Sequence, residues 1–102
     1  METVSIVYEK HFSQLDRLQQ GRCVRYFLVC REDGGEPRYG IRVEEMANDY
    51  MMSEDWFEIT LSCGQVRDLL TFLYENSVSA GCCQAVIADL LETEDGNGAK
   101  TN

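Results

Sequence analysis

The sequence has few basic residues, one histidine and no long apolar run. Lysine and arginine together number 9 against 18 acidic residues, for a net charge of −9 at pH 7. Nucleic-acid binding needs basic side chains that displace counterions from phosphates, so this charge argues against such a partner. No stretch approaches the roughly 20 apolar residues of a membrane-spanning helix. The N-terminal segment METVSIVYEKHF is too short and too charged for a signal peptide.

The five cysteines lack the spacing of a disulfide framework or a metal site. Their odd number argues against structural disulfides and favours a reducing, cytoplasmic compartment. Cys23, Cys30 and Cys63 form no C-x-x-C pair, so four converging zinc ligands are not expected. The adjacent Cys82 and Cys83 are expected to behave as small apolar residues of a helix, with a redox role left open.

No catalytic motif accompanies the single histidine. His11 lies at the end of the first predicted strand, without a Gly-x-Ser-x-Gly elbow, and the sequence has no phosphate-binding or dinucleotide-binding glycine motif. Pairs of acidic residues such as Glu44-Glu45 are adjacent rather than facing across a cleft. We therefore assign no catalytic residue, no metal and no cofactor. An enzymatic activity is less expected than a non-enzymatic one, but it stays open.

The length and the apolar content of the chain are sufficient for one folded domain. A chain of 102 residues with 44% apolar residues can bury a single hydrophobic core without disulfide bonds or a structural metal. We place that domain at residues 1–92. The remaining segment, 93–102, has no large apolar residue to anchor it and is predicted to be a disordered tail.

Alternation of apolar and polar residues predicts the strands. In TVSIVYEKHF, it places Val4, Ile6 and Tyr8 on one face of a first strand. CVRYFLVCREDGGEPRYGIRVEE, residues 23–45, predicts a complete β-hairpin whose glycines form the turn. If Gly34-Gly35 is the two-residue turn, the numbers of two residues that face each other across the hairpin sum to 69. If Asp33-Gly34 is the turn, they sum to 67. The same side chains lie on the same face of the hairpin in both registers.

The second half predicts one strand and two helices. MANDYMMSED is interpreted as an acidic, methionine-rich connector, and WFEITLS as the fourth strand. Ser62 can cap a helix from about Gly64 to Glu75, and Ser79 can cap another that ends near Glu92. The order β-β-β-β-α-α predicts an α+β fold. Its four-stranded, mostly antiparallel sheet has both C-terminal helices packed on one face.

Four segments carry a resemblance to a known family. RYFLVCRE, YGIRVEE, FEITLS and VIADLLE resemble a family of short, uncharacterised clostridial (Firmicutes) proteins that is defined as a domain of unknown function. The resemblance covers about residues 22–92. It implies the same order of elements and a bacterial cytoplasm, and it implies no activity, cofactor or site residue.

The outer face of the hairpin is the best candidate site. Apolar side chains there are flanked by arginines, a composition typical of an interface centre. One interpretation is a protein-interaction or regulatory surface, including a homodimer; another is plain solvated sheet, and a third is an anion site. The alternative function is a small-molecule binder or enzyme with a pocket between helices and sheet. The predicted surface comprises Arg25, Phe27, Val29, Arg31, Arg38 and Arg42.

Overall fold

A four-stranded antiparallel meander followed by two helices forms the protein. The computed structural model describes residues 2–15, 21–57 and 61–100. Sequential strands are neighbours throughout, in the order β1-β2-β3-β4. This confirms the predicted α+β class. The elements are β1 (Glu2–Phe12), β2 (Arg22–Arg31), β3 (Arg38–Ala47), β4 (Tyr50–Phe57), α1 (Cys63–Glu75), a 3₁₀ turn (Ala80–Cys82) and α2 (Cys83–Lys100).

The central hairpin has the first of the two predicted registers. Leu28 faces Ile41 and the ladder ends at Arg31 opposite Arg38, so facing residues have numbers that sum to 69. Six residues connect the two strands, and Gly34 has a φ of 87° within that connection. A side chain strains this left-handed conformation, which glycine adopts freely. The glycine pair thus fixes the register and both faces of the hairpin.

The predicted face of β1 is wrong beyond Ile6. A β-bulge between Ile6 and Tyr8 shifts the register against β2. One extra residue reverses the alternation, because successive side chains of a strand point to opposite faces. Val4 and Ile6 therefore lie on the outer face, while Tyr8 lies on the inner face and stacks on Tyr74 with ring centroids 4.4 Å apart.

The fourth strand lies earlier than predicted. β4 occupies Tyr50–Phe57, most of the segment that we interpreted as a connector, and Ala47 pairs with Tyr50 across a two-residue turn. The prediction failed because methionine and acidic residues are not typical strand formers. Of the rest of the predicted strand, Leu61 and Ser62 are not in a strand, and residues 58–60 lie outside the described part of the chain. Most of the predicted loop before Gly21 also lies outside it.

Both helices pack on the inner face of the sheet, as predicted. α1 begins with a capping box, in which the Ser62 hydroxyl accepts from the Gln65 amide and the Gln65 side chain accepts from the Ser62 amide. The two reciprocal bonds satisfy amides that have no partner inside the helix. The buried core of sheet and helices comprises Val24, Tyr26, Leu28, Ile41, Val43, Val66, Leu70, Leu73, Ala80, Cys83 and Ile87.

The last helix starts and ends differently from the prediction. Ser79 has the extended backbone of a cap but makes no side-chain capping bond, and the 3₁₀ turn precedes α2. α2 continues to Lys100 rather than ending near Glu92. Disorder of 93–102 in solution stays a prediction. Within the described residues, no helix has both the length and the apolar character needed to cross a membrane.

Candidate functional site: the outer face of the sheet

The centre of the outer face is an apolar strip that runs across the strands. In the ladder, Val29 lies between Val4 of β1 and Gly40 of β3, and Phe27 lies next to Ile6. Gly40 faces Phe57 of β4. The strip therefore combines side chains from β1, β2 and β4, whereas the sequence had indicated only those of the hairpin.

Exposure within this strip differs from our expectation. Val29 is completely buried in the monomer, and Phe27 is only partly exposed. The accessible apolar side chains are instead Ile6, which is 54% exposed, and Val4, which is 38% exposed. Both residues precede the bulge in β1. A partner on this face would therefore contact β1 before it contacted Val29.

Each arginine of the predicted surface has a carboxylate partner. Arg42 forms two parallel bonds to Asp55, with Nε–Oδ1 at 2.8 Å and Nη2–Oδ2 at 3.0 Å. The other three each form one bond to a carboxylate. These are Arg25 Nε to Glu9 Oε2 at 2.6 Å, Arg31 Nε to Glu2 Oε2 at 2.8 Å and Arg38 Nη2 to Asp33 Oδ2 at 3.2 Å.

These pairs shift the ionisation of their members in the expected directions. The hydrogen bond from Arg42 lowers the pKa of Asp55, and the same bond raises the pKa of Arg42. The bond from Arg25 lowers the pKa of Glu9, with a smaller effect from His11. The arginines are thus engaged within the chain. This arrangement does not favour the anion site, because a bound anion would have to displace carboxylates.

Two pairs that face each other across the hairpin ladder do not bind each other. Arg25 lies opposite Glu44 in the ladder, but its guanidinium binds Glu9 on the other side. Arg42 lies opposite Phe27, yet its guanidinium binds Asp55. The register determines which residues lie directly opposite each other. A long side chain such as arginine can nevertheless bind a carboxylate on either of the two neighbouring strands.

The unfavourable pair of Arg31 and Arg38 is relieved from both sides. Arg38 turns to Asp33 in the connection between β2 and β3. Arg31 turns to Glu2 and also lies over the Phe57 ring, with its guanidinium carbon 4.1 Å from the centroid. The like charges therefore do not point at one another, and the ring surface gains a cation–π contact.

Sequence reasoning missed a cluster at one end of this face. Side-chain atoms of Glu9, His11 and Cys23 that could bind a metal lie within 4.8 Å of one another. His11 is exposed near the end of β1, as predicted, but it faces Cys23 across the ladder. The signal in the sequence is the Glu-x-His spacing on a strand. It becomes useful only when the partner strand and the bulge are known.

The other cysteines and the helices have separate surroundings. Cys83 is buried, and burial raises the pKa of its thiol to about 11, which disfavours the nucleophilic thiolate. Cys82 is exposed beside it. A groove of about 230 Å³ lies between the helices and is lined by Leu61, Gln65, Asp68, Leu69, Phe72, Leu90 and Leu91.

Comparison with known proteins identifies the family and nothing narrower. Residues 6–93 match the profile of a family of unknown function (DUF6514). The chain belongs to this family. Neither a curated protein nor a solved structure gives a significant match. The domain of unknown function implied by the resemblance is thus confirmed, and the matched region includes β2, β3, β4, α1 and the part of β1 from Ile6 onward.

Proposed function

We propose that the protein is a non-enzymatic interaction module whose outer sheet face pairs with the same face of a second copy. The observation that carries this proposal is the one-sided packing of the fold. Both helices cover the inner face, and within the described residues no helix packs over the outer face. A regulatory role is part of the proposal, and so is the bacterial cytoplasm that the family resemblance implies. The five cysteines, all free among the described residues, suit that compartment.

The apolar strip supports docking at this face. Ile6 and Val4 are the exposed large apolar residues of its β1 part, and they adjoin the partly buried Phe27. A contiguous exposed apolar patch framed by charged residues is characteristic of interaction sites. Arginine, which is enriched at interfaces, surrounds the strip on β2 and β3.

Charge balance favours a second copy as the occupant. The chain as a whole carries −9, which opposes self-association. On the outer face, however, each of the four arginines binds a different carboxylate. A two-fold interface brings a patch against itself, so the patch must be self-complementary. A balanced mixture of both signs meets that requirement, whereas a patch of one sign would repel its copy.

The size of the face is also compatible with a dimer. Four strands spaced about 4.8 Å apart and about ten residues long cover roughly 19 by 34 Å. This corresponds to about 650 Å² per copy, near the roughly 800 Å² per partner of standard interfaces. The whole face, rather than the hairpin alone, is needed to reach this area. β1 and β4 are therefore expected to take part.

The alternative of a small-molecule binder has weaker support. The groove between the helices, at about 230 Å³, is smaller than the 300–1,000 Å³ typical of ligand pockets. Among its described lining residues, Gln65 and Asp68 are the polar ones, and the remainder are apolar. The groove offers few converging polar groups, and we rank this alternative second.

Light scattering over a concentration series tests the proposed dimer. We expect the wild-type mass to rise to twice that of the chain, and Ile6→Glu to return it to one chain. Ile6 is suited to this test because its exposure lets the monomer accept a charge. The matched control is Phe72→Glu on the other side of the molecule, since Phe72 is an exposed apolar residue of α1 that lines the helical groove.

Each outcome has a clear meaning. A wild-type protein that stays monomeric to its solubility limit would refute the homodimer. A dimer split by Phe72→Glu but not by Ile6→Glu would move the interface to the helices and refute the outer-face proposal. Circular dichroism of both variants confirms that the fold is intact before the masses are compared.

A further inference from the structure

We propose that Glu9, His11 and Cys23 form a binding site for a divalent transition metal ion of the zinc class. The three side chains offer a carboxylate oxygen, an imidazole nitrogen and a thiol sulfur. All three donor atoms lie within 4.8 Å of one another on the outer face, at the open end of the β1–β2 ladder. The observations that support this site are separate from those that support the dimer, although Glu9 and Arg25 also belong to the outer face proposed to pair.

The strand geometry itself brings the donors together. Glu9 and His11 are two residues apart on β1, so they share a face. Cys23 is directly opposite His11 in the register. The bulge between Ile6 and Tyr8 completes the arrangement, because without it Glu9 and His11 would point to the inner face. Bulges often lie next to functional sites, where they redirect side chains.

The distances approach those of a tetrahedral zinc site. His11 Nε2 lies 3.1 Å from Glu9 Oε1 and 4.0 Å from Cys23 Sγ. Zinc bonds of about 2.1 Å to nitrogen or oxygen and about 2.3 Å to sulfur place tetrahedral ligands roughly 3.3 to 3.6 Å apart. The two distances from Nε2 are within about 0.5 Å of that range. The third pair of donors, on Glu9 and Cys23, lies within 4.8 Å, so binding would draw these two side chains closer together.

The neighbouring arginine leaves one carboxylate oxygen for the metal. Arg25 Nε binds Oε2 of Glu9 at 2.6 Å, while Oε1 points toward His11. A carboxylate held through its second oxygen is pre-oriented, as ligands in metal sites commonly are through partners outside the coordination shell. Arg25 is thereby a positioning residue for this site. Its guanidinium lies beside two of the three donors, Glu9 and Cys23.

The donor set selects the class of metal. Thiolate and imidazole together suit zinc and cobalt, whereas magnesium and calcium require oxygen donors. Three protein ligands leave a fourth tetrahedral position, which in zinc sites is filled by water or another ligand. An open groove of about 430 Å³ adjoins His11 and Cys23 and gives access to that position.

Cobalt titration under reducing conditions tests the site. Co²⁺ replaces Zn²⁺ in such sites and has a thiolate charge-transfer absorption that reports on a cysteine ligand. We expect saturable binding of one Co²⁺ per chain with this absorption, displaced by Zn²⁺ and unaffected by Mg²⁺. Cys23→Ser should abolish the absorption. His11→Ala and Glu9→Gln should each weaken binding at least about tenfold, the lower bound for loss of even an outer-shell partner.

The matched control is Cys82→Ser, which removes an exposed cysteine distant from His11 in the sequence and on another element. It should leave the absorption and affinity unchanged. Equal loss with Cys82→Ser and Cys23→Ser would indicate adventitious thiol binding and overturn the site. So would cobalt absorption that survives His11→Ala with unchanged affinity. Far-ultraviolet circular dichroism of each variant verifies that the strands are retained.

Discussion

Replacing Gly40 by alanine should destabilise the protein, although alanine is usually the better residue in a strand. Gly40 lies in β3 on the outer face, opposite Phe57. A Cβ atom there would be 2.5 Å from the Trp56 carbonyl oxygen and 2.8 Å from Cγ of Phe57. Ordinary carbon–oxygen contacts begin at about 3.3 Å. Because the nearest atom belongs to the backbone, rotation of a side chain cannot relieve the overlap, and β4 must move.

The expected loss is the difference between two opposing effects. Forcing an extra methyl group into a packed region costs about 1–3 kcal/mol. Removing glycine from a strand returns roughly 0.5–1 kcal/mol of conformational entropy. The net change in the free energy of unfolding is then a loss of about 1–2 kcal/mol. For a domain of about 100 residues, this lowers the melting temperature by roughly 5–15 °C.

Thermal and urea unfolding monitored by circular dichroism measure this change. Gly35→Ala is the matched control, because its added Cβ has no atom within 4 Å and its backbone is outside the left-handed region. It should be as stable as the wild type or more stable by up to about 1 kcal/mol, because alanine in a compatible backbone restricts the unfolded chain. A double-mutant cycle with Phe57→Ala separates the two clashes. Gly40→Ala should cost less in that background, since the ring contacts are gone while the contact with the Trp56 oxygen remains.

Equal stability of Gly40→Ala and Gly35→Ala would refute the close approach of β3 and β4 at this position. A cost for Gly40→Ala that is unchanged by Phe57→Ala would mean that the ring is not packed over Gly40. The cation–π contact of Arg31 with that ring would then lose its structural basis. The outer face could not have the arrangement described above.

Three further predictions concern the inner face and its helices. Burial raises the pKa of Tyr26 to about 12, above the value near 10 of an unfolded tyrosine. Wild-type stability should therefore be complete below about pH 10 and fall by roughly 2–3 kcal/mol as the pH rises toward 12. Tyr26→Phe should reduce this alkaline loss in pH-dependent urea unfolding. Near pH 7 it should cost about 1 kcal/mol, because the hydroxyl donates to the Val78 carbonyl at 2.7 Å; identical alkaline profiles would contradict the assignment. Ser62→Ala should lower the free energy of unfolding by about 1 kcal/mol through loss of the bond from the Gln65 amide, whereas Ser62→Asp, which keeps a capping oxygen, should not. Glu45→Ala should cost about 1–3 kcal/mol and more than Glu45→Gln, because the buried carboxylate accepts from the first amide of the 3₁₀ turn; equal effects of the two would show that this acceptor is dispensable.

Local pattern was sufficient for the faces of the hairpin and for the first helix. The alternation over 23–45 predicted both faces, because successive side chains of a strand point to opposite faces. Two registers stayed open, and the structure has the one in which facing numbers sum to 69. Ser62 and the stripe beginning at Val66 located α1 within one residue, since a capping box and an apolar stripe are both local features. The α+β class followed from the order of these elements.

Tertiary pairing decided what the pattern could not. The bulge in β1 depends on its ladder with β2, and it reversed the faces of Tyr8 and Glu9 without a marker such as glycine in the strand. The residues of β4 have a weak preference for strands. They adopt the extended conformation because β3 offers them a ladder of backbone hydrogen bonds.

The candidate surface was likewise predicted in part from local pattern and decided in part by tertiary pairing. Its arginines were evident from alternation, but the choice of Glu9 over Glu44 by Arg25 required the neighbouring strand in place. The burial of Val29 and the meeting of His11 with Cys23 likewise arise between strands. By itself, the sequence determined which side chains of the hairpin strands share a face, since in an unbulged strand that depends on a period of two residues. Only the tertiary structure decided which of them touch, because contact depends on the register and the bulge between separate segments of the chain.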